Sequence, residues 1–496
     1  MTRPSVPGFA TVPVLVLAAG VAAVLTALSG RYGYHRDELY FLVAGDHLAW
    51  GYVDQPPFTP LLARLSTAVF GDTPAGLRVV ATLAAAATIV VVALIAREFG
   101  AERRAQVLAA GCTALAGFVL GVGHMVSTAT FDLLGWMLIG LFAIRLLRTG
   151  EGRWWLALGL TTGIALENKY LVVLPLAALL IAVVAVGPRS VLKTWWLPAG
   201  IAVAAVIAAP NLIWQAANGW PQLTVAGGIS ADDGTENRIM FVPLQIAQLS
   251  PFLVPIWVAG FLHLWRTPSL RWSRPVALAY PVLCVIVLAT GGKPYYALPL
   301  LLILVAAGAQ PTIGWLNRGR TQARRTALGA AAVLTAITSA AFTLPVLPAS
   351  AVNFVLPINA EQGEQIGWPE LVSTVAQTWN QLPESEQQTA VLFATNYGQA
   401  GALIKYGPAE GLPRPYSGHM SFADWAVPPD DKTGPVLLLL QERSPGYEAH
   451  FGTCTPVAEI ANGQDVDNQE QGSVIVRCTG PTKPWSALWP ELRRYY

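Results

Sequence analysis

Tyr34-His35-Arg36-Asp37-Glu38 follows the apolar run Val12–Leu28 (VPVLVLAAGVAAVLTAL) by a few residues, and Leu77–Ala96 (LRVVATLAAAATIVVVALIA) follows in turn. Each apolar run is long enough to span about 30 Å of hydrocarbon, which takes roughly 20 residues. The charged pentapeptide therefore sits in a loop at a membrane surface. Paired carboxylates in that position are expensive, and ionisable groups at a bilayer default to a functional reading. The same loop continues through Asp46 and Gly51-Tyr52-Val53-Asp54-Gln55-Pro56-Pro57-Phe58.

Composition supports a multispanning membrane protein. Of 496 residues, 54% are hydrophobic and 12% charged, about half the charged share of a soluble domain; mean hydropathy is +0.48. The net charge of +2 comes from scattered basic residues, so nothing points to nucleic acid. Met1–Pro13 carries one Arg and leads into a long apolar run without a clear cleavage site, so an uncleaved first span is expected rather than a signal peptide.

Apolar periodicity predicts eleven spans, near 12–29, 77–96, 106–123, 126–147, 154–167, 171–187, 195–213, 241–264, 275–290, 294–310 and 326–347. With the N-terminus in the cytoplasm, alternate links carry Arg97, Arg103 and Arg104; Arg145, Arg148 and Arg153; Arg189 and Lys193; Arg266, Arg271 and Arg274; and Arg318 to Arg325. Later links on the other side hold only Lys169, Arg238 and Lys293. That asymmetry follows the positive-inside bias, and an odd count leaves the tail extracytoplasmic. The expected architecture is mainly α. A transmembrane domain over 1–347 includes a catalytic outer loop, 30–76, and a soluble α/β domain occupies 348–496.

In that tail, Thr389–Thr395 (TAVLFAT), Pro435–Leu440 (PVLLLL) and Ser473–Cys478 (SVIVRC) read as buried strands. Helices are expected at 370–381 and 397–406. Asn396-Tyr397-Gly398-Gln399-Ala400 opens the second of them, and an ordinary strand-to-helix turn is favoured there over an anion cradle. Cys454 and Cys478 can form a disulfide if the tail faces an oxidising compartment. Cys112 and Cys284 fall within spans and read as small hydrophobes.

The candidate site residues each have a plain alternative. Asp37 and Glu38 begin an amphipathic stretch, Asp37–Trp50, expected to lie along the interface. A carboxylate held there suits general-base work; the alternative is a solvated acidic helix start. Asp54 and Gln55 precede paired prolines, which also make a rigid turn. Asp132 lies within about two turns of the outer end of its span, where a lone acid needs a partner or cavity. His124 reads as a hydrogen-bonding cap before a metal ligand. Lys169 and Lys293 are the lone cations of their outer loops and suit phosphate recognition; pairing with Glu167 or a lipid headgroup is the alternative. Arg238 is a third cation and Tyr295 a neighbouring aromatic. The aromatics of Asn211–Pro221 (NLIWQAANGWP) read as interfacial belt residues before sugar or lipid contacts.

The order of these elements resembles the GT-C integral-membrane glycosyltransferases, in particular the dolichyl-phosphate-mannose protein mannosyltransferase and aminoarabinose transferase superfamily and its actinobacterial members. The likeness covers roughly 30–310: Asp37-Glu38, Tyr52–Pro57, Asp132, the Lys169 loop, and Lys293-Pro294-Tyr295-Tyr296 followed by Pro299. It implies a polyprenyl-phosphate sugar donor, an envelope acceptor (glycan, lipid or protein), an outer-face site, Asp37 as catalytic carboxylate, and inversion at the anomeric carbon. The aminoarabinose transferases place Glu-Lys before the paired prolines, and that Lys helps bind donor phosphate. Asp54-Gln55 lacks the cation, so phosphate binding is expected from Lys169, Lys293 or Arg238. No cofactor is indicated; a divalent metal is left open without a ligand pattern to hold it. The rival function is a polytopic transporter or lipid flippase, whose binding groups would gather near the midplane on paired repeats. A non-catalytic envelope scaffold is the third.

Overall fold

The computed structural model describes residues 6–441 and 446–495, so the first five residues of the Met1–Pro13 reading lie outside the described residues. Among those described, seven helices are long and apolar enough to cross a membrane: Thr11–Leu28, Pro74–Glu98, Thr128–Thr149, Trp196–Ala217, Pro268–Thr290, Pro294–Leu316 and Thr321–Thr343. Two bent pairs, Arg103–Leu115 with Gly117–His124 (58°) and Gly234–Ala247 with Pro251–Arg266 (65°), raise the number to nine if each is one span. The expected eleven is reached only by adding Trp154–Leu166 and Tyr170–Val186. The first of these has 13 residues, or about 20 Å of helix, short of a full hydrocarbon core. The protein is a mainly α, multi-pass membrane protein with a small sheet near its C-terminus.

Each bend is a place where helical hydrogen bonding stops, and the two breaks satisfy each other. Ala116 adopts an extended conformation. The next two amides then donate to the other break, Gly117 N–H to Leu249 O at 3.2 Å and Phe118 N–H to Gln248 O at 2.9 Å. Broken helices persist at membrane depth only where protein takes up the freed backbone groups. Close crossing elsewhere relies on small residues. A Cβ on Gly260 would lie 1.9 Å from Leu304 O, and one on Gly308 would lie 1.9 Å from Ile256 O.

The chain divides into two compact units. One comprises 1–29, 78–219 and 226–344; the other comprises 30–77, 220–225 and 345–496. The C-terminal piece of the second unit starts at residue 345. Loop 30–77, expected with the membrane domain, is grouped with the tail.

The second unit is built on a four-stranded sheet of β1 (Val391–Ala394), β2 (Val436–Leu440), β3 (Cys454–Glu459) and β4 (Val474–Cys478) in the order β1-β2-β4-β3. β1 and β2 run parallel, and the other pairs are antiparallel. Three strands coincide with the expected apolar runs. β3 was not expected, because its burial is mostly intermediate to exposed and its residues include Pro456. Cys454 faces Cys478 across β3 and β4, and the two form a disulfide. Phe393 on β1 packs among Tyr447, Phe451, Trp485 and Trp489. Helices Trp368–Asn380 and Tyr397–Tyr406 match the expected positions.

The Asp37–Trp50 stretch meets its expectation only in part. Its helix spans Arg36–Asp46 and buries Leu39 and Val43 within the protein, while Leu48 and Trp50 beyond its end are exposed. Leu39 meets the Tyr397–Tyr406 helix so closely that a Cβ on Gly401 would stand 2.9 Å from Leu39 Cβ and 3.1 Å from its carbonyl oxygen. Period alone could not separate the two outcomes, since a lipid surface and a protein helix demand the same apolar stripe.

Candidate active site

In the second unit, the start of the Arg36–Asp46 helix divides Asp37 from Glu38. The His35 side chain accepts from Asp37 N–H, and Glu38 Oε2 accepts from His35 N–H at 2.9 Å. Glu38 is fully buried in this capping arrangement, which satisfies amides that a helix start otherwise leaves open. The Glu38 carboxylate, expected in the reactive set, thus caps the helix start.

Asp37 is different. Its side chain keeps 33% exposure. Oδ1 accepts a 2.7 Å hydrogen bond from the Tyr397 hydroxyl, with Arg36 Nε at 3.8 Å from the same oxygen. Among the described residues nothing engages Oδ2. One oxygen is held and the other is open.

Around this pair lies a dense polar shell. His35 Nε2 is 2.9 Å from Glu361 Oε2, Arg36 NH1 donates to Gln469 Oε1 at 2.6 Å, and Arg36 NH2 is 3.8 Å from Glu361. Tyr40 donates to Asp54 Oδ1 at 2.5 Å, so Asp54 is partnered within its own loop. Gln55 is buried and neither side-chain polar atom has a hydrogen-bond partner among the described residues. Buried unsatisfied amides are rare, which marks Gln55 as more than a turn residue. Burial pushes the Tyr397 phenol well above its usual range, Arg36 opposing and Asp37 reinforcing, so it stays protonated and donates. His419 is driven down to about 4 by burial and the charge of Arg36; its neutral Nδ1 accepts from Tyr397 N–H at 3.1 Å.

The Asn396–Ala400 turn is the ordinary kind. Asn396 Oδ1 caps Gln399 N–H at 2.9 Å and His419 takes the Tyr397 amide, leaving those groups occupied.

The first unit holds the remaining candidates. Asp132 is buried, and Asn168 Nδ2 donates to its Oδ1 at 2.7 Å and to Thr128 O at 2.9 Å. Lys169, next in sequence, donates to Thr128 Oγ1 at 3.2 Å. Asp132 thus has a neutral amide partner, and Lys169 is tied to the start of the same helix. Lys293 precedes the Pro294–Ala297 turn with no hydrogen bond or ion pair to its ammonium group among the described residues. Tyr295 stacks on Phe118 at 5.5 Å. Arg238 is on a helix rather than a free loop, and donates to Leu288 O at 3.0 Å and Ala289 O at 3.4 Å. It caps a helix C-terminus, where a cation is favoured.

His124 is buried beside Arg78, with NH1 to Nε2 at 3.4 Å, and Arg78 also donates to Ser29 O at 2.7 Å. Arg78, near the start of the Pro74–Glu98 helix, is 1% exposed. A lone arginine in the first turns of a long apolar helix was the available signal. Among the described residues no three His, Cys, Asp or Glu side chains converge as a metal-ligand set.

Comparison with known proteins follows the same lines. A sequence profile for the family described as dolichyl-phosphate-mannose-protein mannosyltransferase matches residues 54–214. That segment includes Asp54, Gln55, Asp132 and Lys169 but not Asp37. No curated protein matches the chain. The structure is similar to ArnT from Cupriavidus metallidurans in the apo state, with a TM-score of 0.56 and 16% identity, covering 94% of this chain and 99% of that one. ArnT bound to undecaprenyl phosphate gives 0.55 at 16% identity, with the same coverage. The arabinofuranosyltransferase AftD from Mycobacteria gives 0.52 at 15% identity, over 94% of this chain and 40% of AftD. Over residues 54–214 the chain is similar in sequence to the dolichyl-phosphate-mannose-protein mannosyltransferases, and over nearly its whole length its fold is similar to that of ArnT.

Proposed function

We propose that this chain transfers a sugar from a polyprenyl-phosphate-linked donor to a cell-envelope acceptor on the extracytoplasmic face of the plasma membrane. The observation that carries the reading is Asp37, an outer-loop carboxylate with one oxygen anchored and one open, in a fold shared with a protein solved with undecaprenyl phosphate. The acceptor hydroxyl or amine attacks the anomeric carbon, and its proton passes to Asp37. The bond from that carbon to the phosphate oxygen breaks, and the lipid phosphate leaves with the electron pair. A single displacement inverts the anomeric centre.

Lys169 and Lys293 are assigned to the departing phosphate on the strength of their charge and loops, a fixed electrostatic contribution. Asp132 is assigned to sugar or acceptor hydroxyls, and Gln55, with its unsatisfied amide, to a polar group of the donor. Glu38 and Arg238 leave the reactive set, since capping explains each. Transport is not favoured: Asp37, Lys169 and Lys293 lie in loops or at helix starts, and of the candidate acids and cations only Arg238 sits on a bent helix pair.

The test uses purified full-length protein and radiolabelled polyprenyl-phosphate sugars. Wild type is expected to release or transfer the label and Asp37→Asn to lose that activity. Turnover persisting in Asp37→Asn would overturn the assignment, and vectorial uptake into liposomes without turnover would favour transport. Orientation is tested by labelling single cysteines placed before Thr11 and in the tail with an impermeant maleimide. Labelling of the tail alone from the outside is expected.

A further inference from the structure

The tail lies against the reactive loop and supplies a side chain to it. Resting on the reading of Asp37 given above, we propose that Tyr397 is a positioning residue that fixes the Asp37 carboxylate through the 2.7 Å hydrogen bond from its hydroxyl to Oδ1.

Three features hold that hydroxyl in place. The Tyr397 ring stacks on His419 at 5.3 Å and meets Tyr40 at 5.4 Å, while the Arg36 guanidinium lies 5.9 Å over its face. The helix that carries it is pressed onto the Arg36–Asp46 helix through glycines: a Cβ on Gly398 would stand 3.2 Å from Arg36 Cβ and 2.8 Å from Trp368. The start of the same helix is pinned from behind by buried Glu470, which accepts from Asn396 at 2.9 Å, Gln399 at 2.8 Å and Gln441 at 2.5 Å. A donor so fixed leaves Asp37 one orientation, and the free Oδ2 is then aimed without further ordering. The titratable and charged groups around Asp37 are His35 and Arg36 beside it, Glu361 and Glu364 on the 360–365 turn, Tyr397 on its helix, and His419 behind that ring.

Tyr397→Phe keeps the ring and removes only the hydroxyl. Two readouts are used on the full chain: kcat and KM with radiolabelled polyprenyl-phosphate sugars, and the pH dependence of carbodiimide labelling of Asp37 followed by peptide mass spectrometry. Carbodiimide reacts with the protonated carboxyl, so the second readout needs no turnover. A hydrogen bond to a carboxylate favours the charged form. Its loss is therefore expected to move the labelling midpoint up by about one pH unit. It should also lower kcat about tenfold with KM changed less than about twofold. In an Asp37→Asn background the same change should have no further effect on the residual rate. A midpoint that stays in place, with or without a fall in kcat, overturns the proposal, as does a shifted midpoint with kcat unchanged. Full activity in Asp37→Asn would instead overturn the catalytic reading, while the labelling midpoint still decides whether Tyr397 holds the carboxylate.

Discussion

Asp37 and Asp132 are both candidate acids, yet the two units treat them differently. Asp132, in the membrane-spanning unit, is buried and answered by Asn168, 36 residues away on the next loop of the same unit. Asp37, in the unit formed by the first loop and the tail, is a third exposed and answered by Tyr397, 360 residues away. In the spanning unit a nearby amide compensates an acid that water cannot reach. In the other unit water reaches the acid, and the distant contact orients it. On the proposed reading, the buried and partnered carboxylate serves stability or binding, and the partly exposed one with one anchored oxygen takes the proton.

The largest effect should fall on Asp37. Asp37→Asn is expected to reduce turnover by about 10²- to 10⁴-fold, with the thermal unfolding midpoint little changed. A large loss of stability instead would erase the contrast with Asp132.

Glu470 gives the next largest effect, through pH. Burial raises its carboxyl from 4.5 to about 7 against the opposing hydrogen bonds of Gln399 and Asn396. A carboxyl with a raised folded pKa lends stability that is fully present below about 4.5 and is lost as pH rises through about 7. The loss amounts to about 3 kcal/mol at most. Thermal unfolding between pH 4.5 and 8 should show the loop-and-tail unit weakening over that window, and Glu470→Gln should flatten the slope. A wild-type profile already flat would mean that the start of the Tyr397–Tyr406 helix is held some other way.

Asn168→Ala removes the amide facing Asp132 and should destabilise the spanning unit by about 1–3 kcal/mol. Unchanged unfolding in detergent would show that Asp132 is satisfied without it. The smallest effect is expected at Glu38. Glu38→Ala should lower stability by about 1 kcal/mol, whereas Glu38→Gln retains an acceptor for His35 N–H and should keep turnover within about tenfold of wild type. A Glu38→Gln loss as deep as that of Asp37→Asn would return Glu38 to the reactive set.

The fold was legible where its determinants are local. Apolar length gave the helices, and short apolar runs between turn signals gave three of four strands. β3 was missed because its mixed burial leaves no clean alternation to read. The acids were legible as costly charges beside apolar runs, and Asp132 and Asp37 both stood out. The division of labour between Asp37 and Glu38 was not, because it depends on which carboxylate turns back to cap His35, a matter of backbone geometry. Tyr397 was named only as part of an ordinary turn. Nothing within reach of its neighbours in sequence says that residue 37 lies against it. Arg78 was hidden because apolar spacing does not separate a buried arginine from an exposed one in the first turns of a helix.

The joining of residues 30–77 with 345–496 also sets an order in time. The first loop is synthesised well before the segment it packs against, with nearly all the spanning helices still to be made. Until the last of them is inserted and the tail follows, Leu39 has no Gly401 to cover it and Asp37 has no Tyr397. A chain stalled or cut short within the spanning helices would therefore carry every candidate residue of the first loop and still lack the Tyr397 hydroxyl that donates to Asp37.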